Sequence, residues 1–208
     1  MAAELRLMIP TKETVEPDDR QLVETTRGGD PDAFEVLVRR KTSKVYSLCY
    51  RIIGNSEDAK DISQLVFIKL WENLEKYDPQ YAFDTWLYRM VTNVAIDFMR
   101  NKQSRDNAVN SNLRLVKTSE DAEQTVIVQR KEVESVFDAV SSVLSPKQKT
   151  IFVMNQMDDL SSSEIAKVLG CRESTVRNHL FNARKLMQQQ LRKRFPEYSR
   201  LWKEEQQR

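Results

Sequence analysis

The segment at residues 173–187 carries side chains suited to reading double-stranded DNA. Apolar residues recur in it at helical spacing, so one side would face a core and the other would face solvent. Amides, hydroxyls and cations of this kind hydrogen-bond to base edges and phosphates in a major groove. The outward positions are Thr175, Arg177, Asn178, Phe181, Asn182, Arg184 and Lys185, with Arg172 and Ser174 just before them.

A shorter helix is predicted immediately before this segment. Ser161 and Glu164 have the spacing of a capping box, in which each side chain bonds to the backbone of the other residue. Gly170 ends the helix, as a residue free to adopt positive φ should. Two helices joined by a tight turn, the second with a polar outer face, indicate a helix-turn-helix. From this segment alone, a solvated helical hairpin without DNA contact remains the alternative.

A second group of candidate DNA-binding side chains surrounds the loop at residues 77–83. The loop is rich in aromatic residues, and Trp86 and Tyr88 follow it on a predicted helix. Aromatic rings stack on unpaired bases while cations neutralise the phosphates, which is typical of single-stranded DNA binding. Aromatic clusters more often belong to a core, so that interpretation also stays open. The polar stripe on the same helix consists of Arg89, Asn93, Asp97 and Arg100.

A third candidate surface lies on the predicted helix that starts at Ser56. Its inward stripe is apolar, whereas its other face mixes charged, polar and large apolar residues. Large apolar residues beside charges suggest a protein-binding surface. Burial of Trp71 would explain that residue equally well. The face consists of Asp61, Gln64, Leu65, Ile68 and Trp71.

Glycine and proline placement predicts that helices position all three surfaces. The four glycines fall at proposed helix ends, and Pro31 and Pro146 each follow a capping residue. No segment alternates with a period of two, so no sheet is expected. We predict an all-α protein with two small helical domains joined by a flexible linker, the second ending in the helix-turn-helix. The expected boundaries are a leader at 1–27, domains at 28–105 and 123–194, a polar linker at 106–122 and a tail at 195–208.

Composition excludes several classes of protein. Two cysteines far apart in 208 residues argue for a reducing compartment, against a disulfide scaffold and against a structural zinc. No apolar run approaches a membrane span and residues 1–10 lack a signal-peptide core, so we expect a cytoplasmic protein without membrane insertion. His179 is the only histidine and has no paired acidic partner nearby in sequence. We therefore expect no metal, no cofactor and no enzymatic activity.

Taken together, these features resemble a known family. The chain resembles bacterial RNA polymerase sigma factors of the extracytoplasmic-function (ECF) group of the sigma-70 family, over about residues 30–105 and 133–191. Several ordered blocks at the right separations are more specific than a lone helix-turn-helix. The blocks are DISQLVF at 61–67, TWLYR at 85–89 with Asn93 and Asp97, LSP at 144–146, EIA at 164–166 and TVR at 175–177.

The resemblance implies that the chain binds core RNA polymerase and directs promoter recognition, DNA melting and transcription initiation. Its expected partners are core polymerase, promoter DNA and an anti-sigma factor. The helix bearing Asp61, Gln64, Leu65, Ile68 and Trp71 would dock on the clamp coiled coil of the largest polymerase subunit. The melted minus-ten base would be captured by the loop at 77–83.

Two sets of DNA-binding residues are expected from the resemblance and the surfaces above. The minus-ten set is Tyr77, Phe83, Trp86, Tyr88, Arg89, Asn93, Asp97 and Arg100. The minus-thirty-five set is Arg172, Ser174, Thr175, Arg177, Asn178, Phe181, Asn182, Arg184 and Lys185.

The predicted second helix of the helix-turn-helix differs in sequence from that of many relatives. They have serine and arginine in place of Asn178 and His179, and arginine in place of Asn182. Replacing a cation by an amide changes which promoter is read, not the function.

One alternative to a sigma factor is a helix-turn-helix regulator with an N-terminal helical dimerisation or sensing domain. It would not need the block at 61–67 or the aromatic loop. A helical adaptor that binds only proteins would leave the basic C-terminal end unexplained.

Overall fold

The computed structural model describes residues 17–109 and 125–199, and these form eight α-helices and two short 3₁₀ helices without any strand. The predicted all-α fold is thereby confirmed. No helix in these two ranges is long and apolar enough to cross a bilayer. The helices are α1 Asp19–Arg27, α2 Pro31–Ile53, α3 Ser56–Asn73, α4 Phe83–Val109, α5 Thr125–Ser141, α6 Pro146–Gln156, α7 Ser162–Leu169 and α8 Glu173–Arg194, with 3₁₀ turns at Leu74–Lys76 and Pro196–Ser199.

Local capping explains where the helices start and stop. The predicted capping box is present at the start of α7, where the Glu164 amide donates to Ser161 Oγ at 3.2 Å and the Ser161 amide donates to Glu164 Oε2 at 2.8 Å. Gly170 ends this helix in the left-handed region, with φ of 60°. A residue with a side chain would be strained in that conformation, so glycine permits the tight turn into α8.

The first helical unit, α1 to α4, is built around the long helix α2. Leu37 and Leu48 of α2 pack with Leu70 of α3 and Leu87 of α4, and all four are almost completely buried. Residues 19–27 belong to this unit as α1, although the sequence interpretation assigned them to a leader. The helix is only nine residues long and buries three of them, too few to stand out as a periodic pattern.

The linker predicted at 106–122 is only partly within the described residues. Helix α4 continues to Val109 and α5 begins at Thr125, so residues 106–109 are helical. The rest of the predicted linker, the leader up to residue 16 and the tail from residue 200 lie outside the described residues.

The second helical unit, α5 to α8, packs directly against the first. Helix α4 contacts α6 and α7, and α2 contacts α6. A continuous apolar cluster includes Leu87 and Val91 of α4 together with Ile151 of α6 and Ile165 of α7. The sequence predicts two domains joined by a linker and carries no signal for this shared core. We call the surface between the two units the interunit contact.

Candidate protein and nucleic-acid interfaces

The predicted protein-binding residues lie together on one side of α3, which we call the α3 face. Asp61, Gln64, Leu65, Ile68 and Trp71 are all exposed, Ile68 by 55% and Trp71 by 51%. The opposite side of the helix is buried and holds it in place. The ring of Trp71 meets Phe34 edge-on, with 4.8 Å between centroids, while half of the side chain stays in solvent. The structure therefore favours the surface interpretation of Trp71 over burial.

The predicted polar stripe on α4 is also exposed. Arg89, Asn93, Asp97 and Arg100 follow one another at intervals of three or four residues, and we call them the α4 stripe. Asp97 and Arg100 form an ion pair at 3.8 Å. Since both side chains are more than half exposed, this pair adds little to stability and leaves both groups available to a partner.

A groove of about 410 Å³ connects the α3 face with the α4 stripe. Ile62 and Val94 are its most buried lining residues. Leu65 of the α3 face and Asn93 of the α4 stripe line the same groove. The two surfaces are therefore adjacent, and a molecule bound to one would lie close to the other.

The loop at 77–83, which we call the capture loop, does not present all the aromatic rings that the sequence suggested. Tyr77 and Phe83 are 3% and 5% exposed, and their ring centroids are 5.5 Å apart. Trp86 packs 5.3 Å from Tyr77. The buried rings form the floor of the loop. Removing a large aromatic ring from water stabilises the fold, so these rings pack inward. Direct base contact, expected from Tyr77 and Phe83, is not available to them in this structure.

The exposed aromatic residue of the capture loop is Tyr81, which the sequence interpretation did not single out. Its side chain is 63% exposed. The Tyr77 hydroxyl donates to the Tyr81 carbonyl at 2.7 Å, and the Tyr81 amide donates to the Asp78 carbonyl at 3.1 Å. The hydroxyl of the buried Tyr77 thus holds the loop backbone at Tyr81. The only signal in the sequence was the position of Tyr81 between two small or polar residues, Gln80 and Ala82.

Tyr88 and Arg89 lie close to the second helical unit. Tyr88 is partly buried, and burial raises the pKa of its hydroxyl to about 12, with the Asp158 carboxylate of the α6–α7 turn contributing. Arg89 lies near the turn of the helix-turn-helix, where a Cβ on Gly170 would be 3.2 Å from Arg89 Nη2. The predicted minus-ten residues are therefore not a single surface. Tyr88 faces the interunit contact, while Asn93 and Arg100 are exposed.

Helix α8 presents the predicted outward residues, which we call the α8 face. Val176, Leu180, Ala183 and Met187 are buried as the periodicity predicted. Phe181 is 68% exposed and is the one large apolar side chain that this face leaves in solvent among the described residues. Arg172, Ser174, Arg177, Asn178, Asn182 and Lys185 are exposed, whereas Thr175 and Arg184 are partly exposed.

Two of the α8 cations already have partners. Arg177 Nη2 donates to Glu173 Oε1 at 2.5 Å, in a pair that is largely exposed. Arg184 Nη2 donates to Asn155 Oδ1 at 3.1 Å, which ties α8 to the end of α6. A groove of about 440 Å³ beside these residues is lined partly by Phe181 and Lys185. The arrangement combines hydrogen-bond donors, positive charge and one exposed ring.

His179 does not contribute a positive charge to the α8 face. Burial and the nearby Lys147 ammonium lower the pKa of its imidazole below the ordinary value, so the ring is neutral at pH 7. Within residues 17–109 and 125–199, no group of three or more histidine, cysteine or acidic residues is arranged to hold a metal ion.

Two segments of the chain match models of known protein families. A model of the Sigma-70 region 2 family matches residues 37–105, and a model of Sigma-70 region 4 matches residues 137–187. The ECF RNA polymerase sigma factor SigW of Bacillus subtilis is 32% identical over 83% of this chain and 96% of its own length. The ECF RNA polymerase sigma-E factor of Escherichia coli is 32% identical over 80% of this chain and 90% of its own length.

Solved structures agree with this fold. The structure of CnrH in complex with the cytosolic domain of CnrY aligns with a TM-score of 0.60 and 22% identity, over 85% of this chain and 98% of that one. The sigma factor RpoE of Bartonella quintana, in complex with the anti-sigma factor NepR, aligns with a TM-score of 0.57 and 16% identity, over 76% of this chain and 96% of that one.

Proposed function

Because the chain belongs to the ECF group of the sigma-70 family, we propose that each of its three exposed surfaces binds a different partner during transcription initiation. The protein binds core RNA polymerase and directs promoter recognition and transcription initiation. The observation that supports this assignment most strongly is the exposure of large apolar residues on α3 and α8, two helices whose opposite sides are buried in the core. Such residues are costly in water and become favourable when a partner covers them.

The α3 face is the docking surface for core polymerase. Leu65, Ile68 and Trp71 provide an apolar centre, and Asp61 and Gln64 provide polar groups beside it. This arrangement matches the general anatomy of protein interfaces, in which a few apolar or aromatic anchors supply most of the binding energy. The edge contact of Trp71 with Phe34 fixes the ring before binding, so less side-chain entropy is lost when the partner docks.

The α4 stripe and the capture loop bind the minus-ten element. Tyr81 offers an exposed ring on which a melted base can stack, and the α4 stripe supplies cations and an amide for the adjoining strand. Stacking of one base on one aromatic ring is worth about 1–3 kcal/mol. The buried rings of Tyr77 and Phe83 and the partly buried ring of Trp86 act indirectly, because they keep the loop in shape.

The α8 face binds the minus-thirty-five element in the major groove. Arg177 and Asn178 lie in the early part of the helix, where a recognition helix reaches base edges. Lys185 lies later, where phosphate contact is expected. The neutral imidazole of His179 adds no charge, so the electrostatic attraction on this face comes from its arginine and lysine side chains, which are Arg172, Arg177, Arg184 and Lys185.

The two DNA-binding surfaces cannot serve one promoter in the packed arrangement described above. The promoter elements are about 25 base pairs apart, or roughly 85 Å at 3.4 Å per base pair. In the structure, Arg89 of the α4 stripe lies against Gly170, two residues before Arg172 of the α8 face. We therefore propose that the interunit contact opens when core polymerase binds.

The protein contributes no catalytic step of its own in this proposal, since polymerase performs the chemistry, and it acts in the cytoplasm where polymerase works. An anti-sigma factor is a further proposed partner. The two similar solved structures are CnrH in complex with the cytosolic domain of CnrY and RpoE in complex with the anti-sigma factor NepR. A partner that covers the α3 face would keep the protein from polymerase.

Reconstitution with purified core polymerase tests the assignment of the α3 face. Leu65→Asp should weaken holoenzyme assembly and promoter-specific transcription at least tenfold, because it places a charge at the centre of an apolar contact. Val143 is a matched control, since Leu65 and Val143 are each 38% exposed and Val143 lies in the turn after α5. Equal assembly by Leu65→Asp and Val143→Asp would disprove this assignment.

A further inference from the structure

The start of the capture loop is held by an arginine from α1. Arg27 Nε donates to the Leu74 carbonyl at 3.2 Å, and Nη2 donates to the carbonyls of Leu74, Glu75 and Tyr77 at 2.8, 3.1 and 2.5 Å. These carbonyls lie where α3 and its 3₁₀ extension end, and the last carbonyls of a helix lack the amide partners that follow within the helix. The Leu74 carbonyl also accepts from the Tyr77 amide at 3.1 Å. A cation there also interacts favourably with the helix dipole.

Arg27 is itself held in one orientation. Its side chain is 17% exposed, and Nη1 pairs with Glu24 Oε1 at 2.9 Å. Its guanidinium carbon lies 5.9 Å from the centroid of the Tyr77 ring. A planar guanidinium can satisfy several acceptors at once, which the ammonium of a lysine cannot do with the same geometry. The identity of the residue therefore matters, as well as its charge.

The end of the capture loop is held by a second set of ion pairs that also reaches α1. Asp84, in the first turn of α4, accepts from Lys41 Nζ at 2.7 Å and from Lys44 Nζ at 2.8 Å. Lys41 is 9% exposed and forms a further ion pair with Asp19 of α1. Burial alone would raise the pKa of Asp84, but the bonds from the two lysines outweigh it and lower that pKa.

Helix α1 thus reaches both ends of the capture loop from its own two ends. Arg27 bonds directly to the Tyr77 carbonyl, whereas Asp19 acts through Lys41 of α2, which binds Asp84. Asp19 and Arg27 are the first and last residues of α1, about 12 Å apart at 1.5 Å per residue. Leu22 and Val23, which lie between them, are buried against the core and fix the position of the helix. The matched region 2 family segment begins only at residue 37, so α1 lies outside it.

We propose that α1 is a positioning element for promoter melting, in which Arg27 directly and Asp19 through Lys41 hold the capture loop so that Tyr81 meets the melted minus-ten base. The inference rests on the role proposed above for the capture loop and assigns that role a further determinant. Arg27 touches no DNA in this scheme and acts only through the loop backbone. Its loss should therefore affect recognition of one base rather than DNA binding in general.

The test measures the affinity of holoenzyme, made with the full chain, for single-stranded minus-ten oligonucleotides. One series substitutes each base in turn, and one oligonucleotide is abasic at the captured position. Tyr81→Ala should lower affinity for the natural base by about five-fold or more, the range expected for loss of one stacking contact. It should have no effect on the abasic oligonucleotide. This arm tests the capture loop itself.

Arg27→Gln should reproduce the Tyr81→Ala pattern, with reduced discrimination at the same base and unchanged discrimination elsewhere. The double variant should lose no more than Tyr81→Ala alone, because both changes remove one interaction. Arg20→Gln changes an exposed arginine of the same helix and should behave like the parent. Arg27→Lys should recover only part of the discrimination. Asp19→Asn, at the other end of α1, should also weaken base discrimination at the captured position. If Arg27→Gln does not fold, Asp19→Asn and Arg27→Lys provide the test.

The outcomes separate the two proposals. If Tyr81→Ala discriminates bases like the parent, the role of the capture loop is wrong and the positioning role falls with it. If Tyr81→Ala loses discrimination while Arg27→Gln and Asp19→Asn retain it, the loop assignment stands and the positioning role is overturned. An equal loss of affinity on every oligonucleotide, the abasic one included, would also overturn it, because that is the signature of general destabilisation.

Discussion

Asp158, in the turn between α6 and α7, forms an ion pair with Arg51 of α2 and thereby joins the two helical units. Arg51 also donates to the Met157 carbonyl at 3.1 Å and to Ser47 Oγ at 2.7 Å. Burial raises the pKa of Asp158 even though Arg51 opposes the shift. Its second oxygen, Oδ2, is buried without a hydrogen-bond partner among the described residues. The interunit contact therefore contains a carboxylate that is costly to keep ionised.

Arg51→Met should loosen the interunit contact, because it leaves the Asp158 carboxylate buried and unpaired. The expected loss is on the order of 1–3 kcal/mol of packing free energy. Small-angle X-ray scattering of the free protein should show a larger radius of gyration than the parent. Arg39→Met is the control, since Arg39 belongs to the same helix but forms an exposed pair with Glu35. Identical scattering by Arg51→Met and the parent would show that the pair does not hold the units together.

Mild acid should tighten the interunit contact. The packed state raises the pKa of Asp158 above its ordinary value near 3.8, so it binds protons more strongly than the separated state does. Packing should therefore strengthen as pH falls towards 3.8 and weaken as pH rises. Arg51, Lys44, Asp159 and Tyr88 are the charged or titratable groups that interact with Asp158.

Asp158→Asn isolates the contribution of this carboxyl group. Asp138 also has a pKa raised by burial, so the parent and the variant will share some pH dependence. The difference between them in fluorescence energy transfer across the contact, measured from pH 7 down to pH 3.8, reports Asp158 alone. Two superimposable curves would rule out Asp158 as a source of the pH response.

Asp61→Arg combined with Gln64→Ala should weaken association with core polymerase while the fold stays intact. Both side chains are exposed on the α3 face, so their replacement should change the free energy of unfolding by no more than about 0.5 kcal/mol. Thermal unfolding and a core-binding titration measure the two effects separately. Normal core binding by a folded double variant would contradict the assignment of these two residues.

Arg177→Ala should reduce affinity for the cognate minus-thirty-five element by about 1–3 kcal/mol if the guanidinium contacts a base edge. The exposed pair with Glu173 costs little to break, so it should not prevent that contact. Lys185→Ala should instead weaken binding to all DNA sequences about equally and reduce the salt dependence. Both variants are best measured in holoenzyme on promoter fragments. Unchanged base preference in Arg177→Ala would show that this residue does not read the promoter.

The features that could be read from the sequence are those encoded within a few residues. The capping box of Ser161 and Glu164 and the turn at Gly170 depend on neighbours four or fewer positions away, so the helix-turn-helix was predictable. The α3 face and the inward side of α8 follow from the period of 3.6 residues, which reports the two sides of a helix directly. Family membership followed from the order of these local blocks.

The features that could not be read depend on contacts between distant residues. Arg27 and the Tyr77 carbonyl are 50 residues apart, and Arg51 and Asp158 are 107 residues apart. Nothing in the local pattern states which partner a charged side chain will meet. Nor does the composition of the capture loop distinguish the buried rings of Tyr77 and Phe83 from the exposed ring of Tyr81. That choice is made when α1, α2 and α4 close around the loop, because only packing determines which ring loses its contact with water.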